Sequence, residues 1–201
     1  MISRPDLWFQ TICHKQKRII KNMSLLSYLE LVDLVNDGVI NAPMSAVNGS
    51  SIDLTLHHLV RKEVIGSTMR KVRLAQRESI DTVELDITGG YIMLPDTVLL
   101  ASTNERFNLP LWLSAEFSLK STLGRNFLGH ELAGWIDAGF DGCVTLELKN
   151  NTQFHKLIIE PDMKIGQVKF FRHAPVPEDY SYKHRGQYNG QEKVTASKGL
   201  R

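Results

Sequence analysis

Cysteine is almost absent from this chain. Of 201 residues only Cys13 and Cys143 are cysteines, too few for a disulfide framework or a cysteine zinc cluster. A reducing compartment is the expectation. No run of about 18 apolar residues occurs, so no transmembrane helix is expected. Residues 1–22 carry charges throughout and lack the uninterrupted apolar stretch of a signal peptide. The chain therefore reads as soluble and cytoplasmic, with no membrane partner. Neither sign of charge dominates: 24 Lys and Arg stand against 22 Asp and Glu, a net charge of +2. A sequence-independent nucleic-acid binder needs a concentrated basic surface, so no nucleic-acid partner is expected. The locally basic residues 14–21 read as a solvated terminal arm. Internal repeats and low-complexity linkers are missing too. What remains, 42% hydrophobic and 23% charged residues, is ordinary globular usage.

The patterning is mostly that of strands. One helix is predicted over residues 24–38, capped by Ser24 or Ser27, with Leu31, Leu34 and Val35 at helical spacing and Asp37-Gly38 as its stop. A shorter helix fits residues 5–14. Beyond that point, alternation takes over. Residues 51–56 alternate as a half-buried strand, and residues 82–87 place Val83, Leu85 and Ile87 on one face. Gly89-Gly90 reads as a hairpin-type turn. Extended segments follow at 91–94 and 97–102, with a turn at Pro95-Asp96. Val144, Leu146 and Leu148 share one face of a further strand, and Thr145, Glu147 and Lys149 the other. Asn150-Asn151 turns, and strands are predicted at 155–159 and 164–171, separated by Pro161-Asp162. Many short strands with frequent turns predict a barrel or sandwich. Residues 174–201 cannot form a core element alone and read as a disordered tail or an arm that orders over something.

Few constellations carry chemistry. His130-Glu131 opens like a zinc-protease helix, but Gly134 stands where the second His is required. The His-x-Glu and Pro-Cys-x-x-Cys of zinc nucleobase deaminases are missing. No zinc is expected. Glu105-Arg106 and His57-His58 read as surface polar pairs. Residues 120–125, Lys-Ser-Thr-Leu-Gly-Arg, set two cations around two hydroxyls and a glycine. That chemistry suits a phosphate, and a solvated turn is the alternative. Glu147 alone would read as an exposed carboxylate, but it sits inside a long string, Ala133 to Leu148, that changes its weight.

Taken together, these motifs resemble the dCTP deaminase branch of the dUTPase superfamily. Ser50 to Leu54 is similar to the family's early strand, Leu94 through Pro110 to its central segment, and Lys120 to Arg125 to its Arg-Ser-Ser-Leu-Ala-Arg nucleotide loop. Ala133 to Leu148 is similar to its nucleoside pocket and catalytic strand, Pro161 to Gln167 to the turn and strand that follow, and Tyr188 to Gln191, with Thr195 and Ser197, to its tail. The likeness covers residues 26 to 198.

The resemblance implies a mainly β chain: a distorted β-barrel (β-clip) of the dUTPase-like type with short N-terminal helices. It divides into an extension, 1–24, a barrel domain, 25–177, and a tail, 178–201, that closes over the nucleotide. It implies a homotrimer with active sites between subunits. A deoxycytidine nucleotide is the implied substrate, with magnesium bound through its triphosphate. Glu147 becomes the general acid/base, and Ser121 positions water or stabilises the tetrahedral intermediate. Lys120, Ser121, Thr122, Leu123, Gly124 and Arg125 form the nucleotide loop. Asp137 contacts the deoxyribose; Ala133, Thr145 and Leu146 line the pocket; Tyr182, Gln187 and Gln191 reach in from the tail, with Tyr180 as the alternative to Tyr182.

The implied reaction is deamination of dCTP to dUTP and ammonia. Without a metal to acidify water, one carboxyl group must move protons between water, N3 and the leaving amine. The family's dUTPases lack the Glu of the Leu-Glu-Leu stretch. The alternatives are a bifunctional deaminase and diphosphatase giving dUMP, a dCMP-preferring variant, and a nucleotide-sensing trimer without turnover. Three departures stand out. Leu132 occupies a position that is often Thr, Gln187 one that is often Lys, and the stretch from Arg125 to Ala133 is one residue shorter.

Overall fold

The computed structural model describes residues 24–131 and 134–200. The predicted helix at 5–14, the basic stretch 14–21, Cys13, Leu132 and Ala133 lie outside the described residues. In chain order the elements are β1 (Ser24–Leu25), α1 (Tyr28–Asn36), β2 (Ile52–Thr55), β3 (Leu59–Glu63), β4 (Thr82–Asp86), β5 (Tyr91–Met93), β6 (Val98–Asn108) and β7 (Leu113–Leu119). There follow α2 (Ser121–Arg125), β8 (Leu128–His130), β9 (Trp135–Ile136), β10 (Asp141–Asn150), β11 (Leu157–Ile159), β12 (Lys164–Arg172) and α3 (Tyr182–Arg185). The chain is mainly β, as its alternation predicts.

Three antiparallel sheets share one core. The first runs β1-β12-β7-β9, with β2 also on β12; the second runs β4-β3-β6-β10-β8; the third pairs β5 with β11. Among the described residues the sheets are not joined into a closed hydrogen-bonded barrel, which leaves the distorted, clip-like form. Alternation puts Leu99, Ala101, Phe107, Leu113, Ala115, Leu146, Leu148, Val168 and Phe170 inside. Phe107 meets Phe140 and Phe170 at ring-centroid distances of 6.5 and 6.3 Å. Each such side chain contributes about 1.5–3 kcal/mol by leaving water.

Several elements differ from the sequence expectation. The helix begins at Tyr28, not at Ser24. The Ser27 N–H donates to Glu30 Oε2 at 3.0 Å, closing the first turn. Upstream of that cap, Ser24 and Leu25 pair with Arg172 and Phe171 of β12, so their backbone is already committed to a sheet. The Gly89-Gly90 turn is present, with the Gly90 N–H on Ile87 O at 2.7 Å, but it makes no hairpin. β4 pairs with β3 and β5 with β11, so the turn carries the chain from one sheet to another. On β4, Ile87 just past the strand is buried while Val83 is exposed, because β4 is an edge strand that outruns the core. β2 is buried on both faces, not on one.

Glu105 and Arg106 do not form a surface pair. Arg106 is bound to Asp141 at 2.9 Å, and Glu105 is 4% exposed. The cause is a break in the β6–β10 ladder. Cys143 lies opposite Arg106 but Thr145 opposite Ser102, so three residues of β6 face Val144 alone. The Glu105 carboxylate turns instead to β2. It accepts the Thr55 N–H at 2.9 Å and the Thr55 hydroxyl at 2.8 Å. His57 is half-buried as well, its Nδ1 accepting the Leu59 N–H at 3.1 Å.

The tail lies along its own chain. β10 pairs with β8 only over Leu148–Asn150, which leaves the edge at 141–146 open. Gly142 bridges Gln191 in parallel there. A Cβ on Gly142 would meet Gln191 O at 2.7 Å, so no other residue admits the tail at that spacing.

Burial pushes the Glu105 carboxyl up, and the Asp162 charge adds to this, against the Thr55 hydrogen bonds. A raised folded pKa gives stability that is complete below the unfolded value, about 4.3, and lost as pH rises through the folded value. Glu105→Gln keeps the shape and never ionises. Its melting temperature relative to wild type should therefore improve steadily from pH 4 to 7. Parallel thermal melts check this; a pH-independent difference contradicts it.

Candidate active site

Glu147 stands on the polar face of β10, with its neighbours Leu146 and Leu148 fully buried. Its Oε2 is buried and makes no hydrogen bond. The His130 Nε2 lies 3.4 Å from that oxygen and is itself buried without a hydrogen bond. The pairing of β8 with β10, Leu148 opposite His130, brings the two together, and the Glu131 N–H on Glu147 O at 3.1 Å extends it. The His130 ring sits edge-on to Phe117 at 4.8 Å. An unpaired acceptor and an unpaired ring nitrogen at this separation form a site that can hold or pass a proton.

A cavity of about 300 Å³ adjoins this pair, lined by Phe117, Ser118, His130, Gly134 and Trp135 among others. Gly134 allows it: a Cβ there would meet Phe117 O at 2.7 Å, so β9 can lie directly on β7. Asp137 follows β9 and is exposed, its Oδ1 accepting the Trp135 indole N–H at 2.9 Å. Thr145 is half-buried on β10 and accepts the Thr195 N–H at 3.4 Å.

The predicted nucleotide loop packs against β8, the strand that carries His130. Ser121, Thr122, Leu123, Gly124 and Arg125 form the short helix α2, with Leu123 partly buried against the core. Among the described residues, no hydrogen bond or ion pair joins them to Glu147. Lys120 is clamped to the buried Asp53 carboxylate, and Lys164 Nζ reaches the other oxygen at 3.0 Å. Asn48 adds a bond of 2.8 Å. Burial opposes the charge on Asp53, but the Lys120, Lys164 and Asn48 hydrogen bonds hold its carboxyl below the ordinary range.

Of the tail residues, Gln191 binds the Cys143 backbone both ways: its O accepts the Cys143 N–H at 2.8 Å, and its Nε2 donates to Cys143 O at 2.5 Å. The Tyr182 ring meets Phe140 edge-on at 5.4 Å. Gln187 is half-buried, its carbonyl accepting Lys198 Nζ at 2.6 Å. Tyr180 is exposed and carries the Arg185 guanidinium 3.7 Å from its ring centre. No group of three or more His, Cys, Asp or Glu among the described residues is placed to hold a metal ion, and no described helix is long and apolar enough to cross a membrane.

Sequence reasoning missed two partners. His130 was considered only as a zinc ligand on a helix, and no local signal reveals a cross-strand register. Asp53 falls on the polar side of the alternation at 51–56, and nothing local shows that Lys120 and Lys164 meet it.

Residues 25–173 match the family model described as dCTP deaminase-like. The chain belongs to that family. Among curated relatives it is 40% identical over 129 residues to the "dCTP deaminase, dUMP-forming" of Corynebacterium glutamicum, covering 63% of this chain and 68% of the relative. It is 35% identical over 159 residues to the protein of the same name in Corynebacterium kroppenstedtii, covering 76% and 83%. In fold it is similar to the 2′-deoxycytidine 5′-triphosphate deaminase of Agrobacterium tumefaciens, with a TM-score of 0.60 and 19% identity over 75% of this chain. It spans about half, 49%, of that solved chain.

Replacing Asp53 by Ala removes the partner of two ammonium groups. Both retain access to water, so the cost falls below that of a fully buried pair, about 1–3 kcal/mol. The Asp53 contribution is present above the unfolded carboxylate value and lost as pH falls through the lowered folded one. Melts of wild type and Asp53→Ala should therefore differ by several degrees near pH 7 and converge in acid. A difference that persists undiminished in acid refutes the charge assignment.

Proposed function

We propose that the chain deaminates dCTP and carries the product on to dUMP. The observation that carries the first half is the Glu147–His130 pair, whose facing atoms are buried and without hydrogen bonds, next to a cavity with aromatic walls. Water adds to C4 of cytosine and N3 gains a proton; the tetrahedral centre then collapses to uracil with loss of ammonia. Glu147 takes one proton from water and delivers it to N3, where it stays; it then takes the proton of the new C4 hydroxyl and delivers it to the leaving amine. His130, in reach of Glu147 Oε2, holds the carboxyl in place between transfers. Ser121 orients the water or the developing oxyanion.

The rest of the assignment follows the family pattern. Lys120 and Arg125 face the phosphates with Thr122, Leu123 and Gly124; Asp137 takes the deoxyribose; Ala133, Thr145 and Leu146 line the pocket; Tyr182, Gln187 and Gln191 belong to a tail that closes over the nucleotide. Magnesium enters with the triphosphate oxygens. The setting is the cytoplasm. The dUMP product is supported by the names of the curated relatives, dUMP-forming, and replaces dUTP as the leading expectation. That second step adds water across the α–β phosphate linkage of dUTP and releases pyrophosphate.

The site is completed between subunits of a homotrimer. The exposed apolar side chains Leu25, Tyr28, Leu29 and Met44 support this.

Incubation with dCTP and magnesium, resolving dUTP, dUMP, ammonia and pyrophosphate, tests the reaction. Ammonia, dUMP and pyrophosphate in equal amounts are expected; accumulation of dUTP refutes the second step, and no ammonia refutes the first. Glu147→Gln keeps shape but cannot carry a proton, so deamination should fall at least about a hundredfold with nucleotide binding retained. Near-normal turnover removes Glu147 from the chemistry. For the shared site, Ser121→Ala and Glu147→Gln chains should each be inactive alone. Co-assembled in equal amounts, they should recover roughly a quarter of the wild-type rate, the fraction of sites given two intact halves by random mixing. No recovery in mixed trimers places both residues in one subunit's site.

A further inference from the structure

Trp135 is 58% exposed, although folding usually covers most of so large a ring. It is nevertheless held in one orientation. Its indole packs on Phe171, with ring centroids 5.9 Å apart and planes inclined by 31°. Its backbone is paired with Glu116 of β7. Its one polar atom, Nε1, donates to Asp137 Oδ1 at 2.9 Å. Residues two apart on an extended chain face the same way, which places the ring and the carboxylate side by side. The same ring lines the cavity next to His130.

Asp137 needs such a holder. It is exposed, and among the described residues no other group donates to its carboxylate. Alone it would sample its rotamers in water. The indole bond leaves the second oxygen and the remaining lone pairs free for a ligand. A carboxylate can only accept, and a 2′-deoxyribose esterified at its 5′ position keeps one hydroxyl, at 3′.

We propose that Trp135 is a positioning residue: it fixes the Asp137 carboxylate so that the carboxylate reads the 3′-hydroxyl of the deoxynucleotide. This rests on the deaminase reading, in which Asp137 meets the sugar. The role makes a specific demand on the indole nitrogen, beyond the packing of the ring.

The test compares dCTP with its 3′-deoxy analogue, 2′,3′-dideoxycytidine triphosphate, by KM, kcat and calorimetric Kd, in wild type, Trp135→Phe, Asp137→Asn and the double variant. Trp135→Phe keeps an aromatic ring on Phe171 and loses the N–H. A bond to a charged group is lost, so KM and Kd for dCTP should rise roughly tenfold, with kcat within about twofold. Affinity for the 3′-deoxy analogue should stay near wild type, and the double variant should be no worse than Asp137→Asn alone. Equal losses for both nucleotides, additive effects, or an unchanged Trp135→Phe overturn the proposal. Trp135→His, which restores a ring N–H, decides the matter if the phenylalanine variant does not fold. It should keep the selectivity for the 3′-hydroxyl, and a fall to the Asp137→Asn level overturns the role. A wild type that binds dCTP but releases no ammonia refutes the deaminase reading and leaves the binding comparison to judge Trp135. A wild type that binds neither nucleotide refutes both.

Discussion

The pairing of β6 (Val98–Asn108) with β10 (Asp141–Asn150) is the constraint on which the remaining geometry depends. It is the long ladder of the second sheet, and it is broken once, opposite Val144. On one side of the break, Cys143 and Gly142 turn an open edge toward the tail. On the other, Thr145, Leu146 and Glu147 return to regular alternation, so Leu146 and Leu148 fill the core while Glu147 faces His130. The break costs ladder bonds. At Val144 the Thr103 hydroxyl accepts the N–H at 3.1 Å, and the same irregularity turns the Glu105 carboxylate to the Thr55 donors of β2. A buried carboxylate is costly. It is tolerated because both its oxygens are bonded and because it ties β2 to β6 at the seam between two sheets.

Two acids show opposite uses of burial. Asp53 is surrounded by donors, Lys120, Lys164 and Asn48, and its charge organises the residue that opens α2 (Ser121–Arg125). Glu147 has no such ring of donors. Its Oε2 meets only the His130 nitrogen, and without a hydrogen bond. A fully bonded carboxylate is a structural clamp. An under-bonded one beside a cavity keeps the capacity to take and give a proton, which is what the proposed role of Glu147 requires.

Much of this was legible in the sequence, and the losses have physical causes. The strands were visible wherever alternation was strict, as in Val144, Leu146 and Leu148. The helix body was visible through Leu31 and Leu34, and its cap was narrowed to Ser24 or Ser27; Ser27 is the cap, and Ser24 is lost to a competing strand three residues upstream. Gly89-Gly90 was read as a hairpin because local turn chemistry says nothing about which strand will be the partner. Glu147 and the Lys120–Arg125 loop could be singled out by motif. Neither the His130–Glu147 contact nor the Asp53 clamp could be, since each depends on register between segments 17 or more than 60 residues apart.

The tail is the weakly held end of the fold. From Gly190 to Thr195 it is fastened to β10 chiefly through backbone and side-chain hydrogen bonds at Asp141, Cys143 and Thr145, and Val194 is the one hydrophobic side chain of residues 186–200 that is buried. Lys193 reaches Glu84 at 2.9 Å, a surface pair worth about 0–1 kcal/mol. Hydrogen bonds of this kind exchange readily with water, and little apolar area is lost when they open. The buried Gln191 Oε1, which has no donor, leaves one acceptor of the tail unsatisfied beside Cys143. A segment held by exchangeable bonds, with an acceptor still waiting for a partner, can be repositioned by a ligand at small cost. The ladder beneath it, carrying Glu147, cannot.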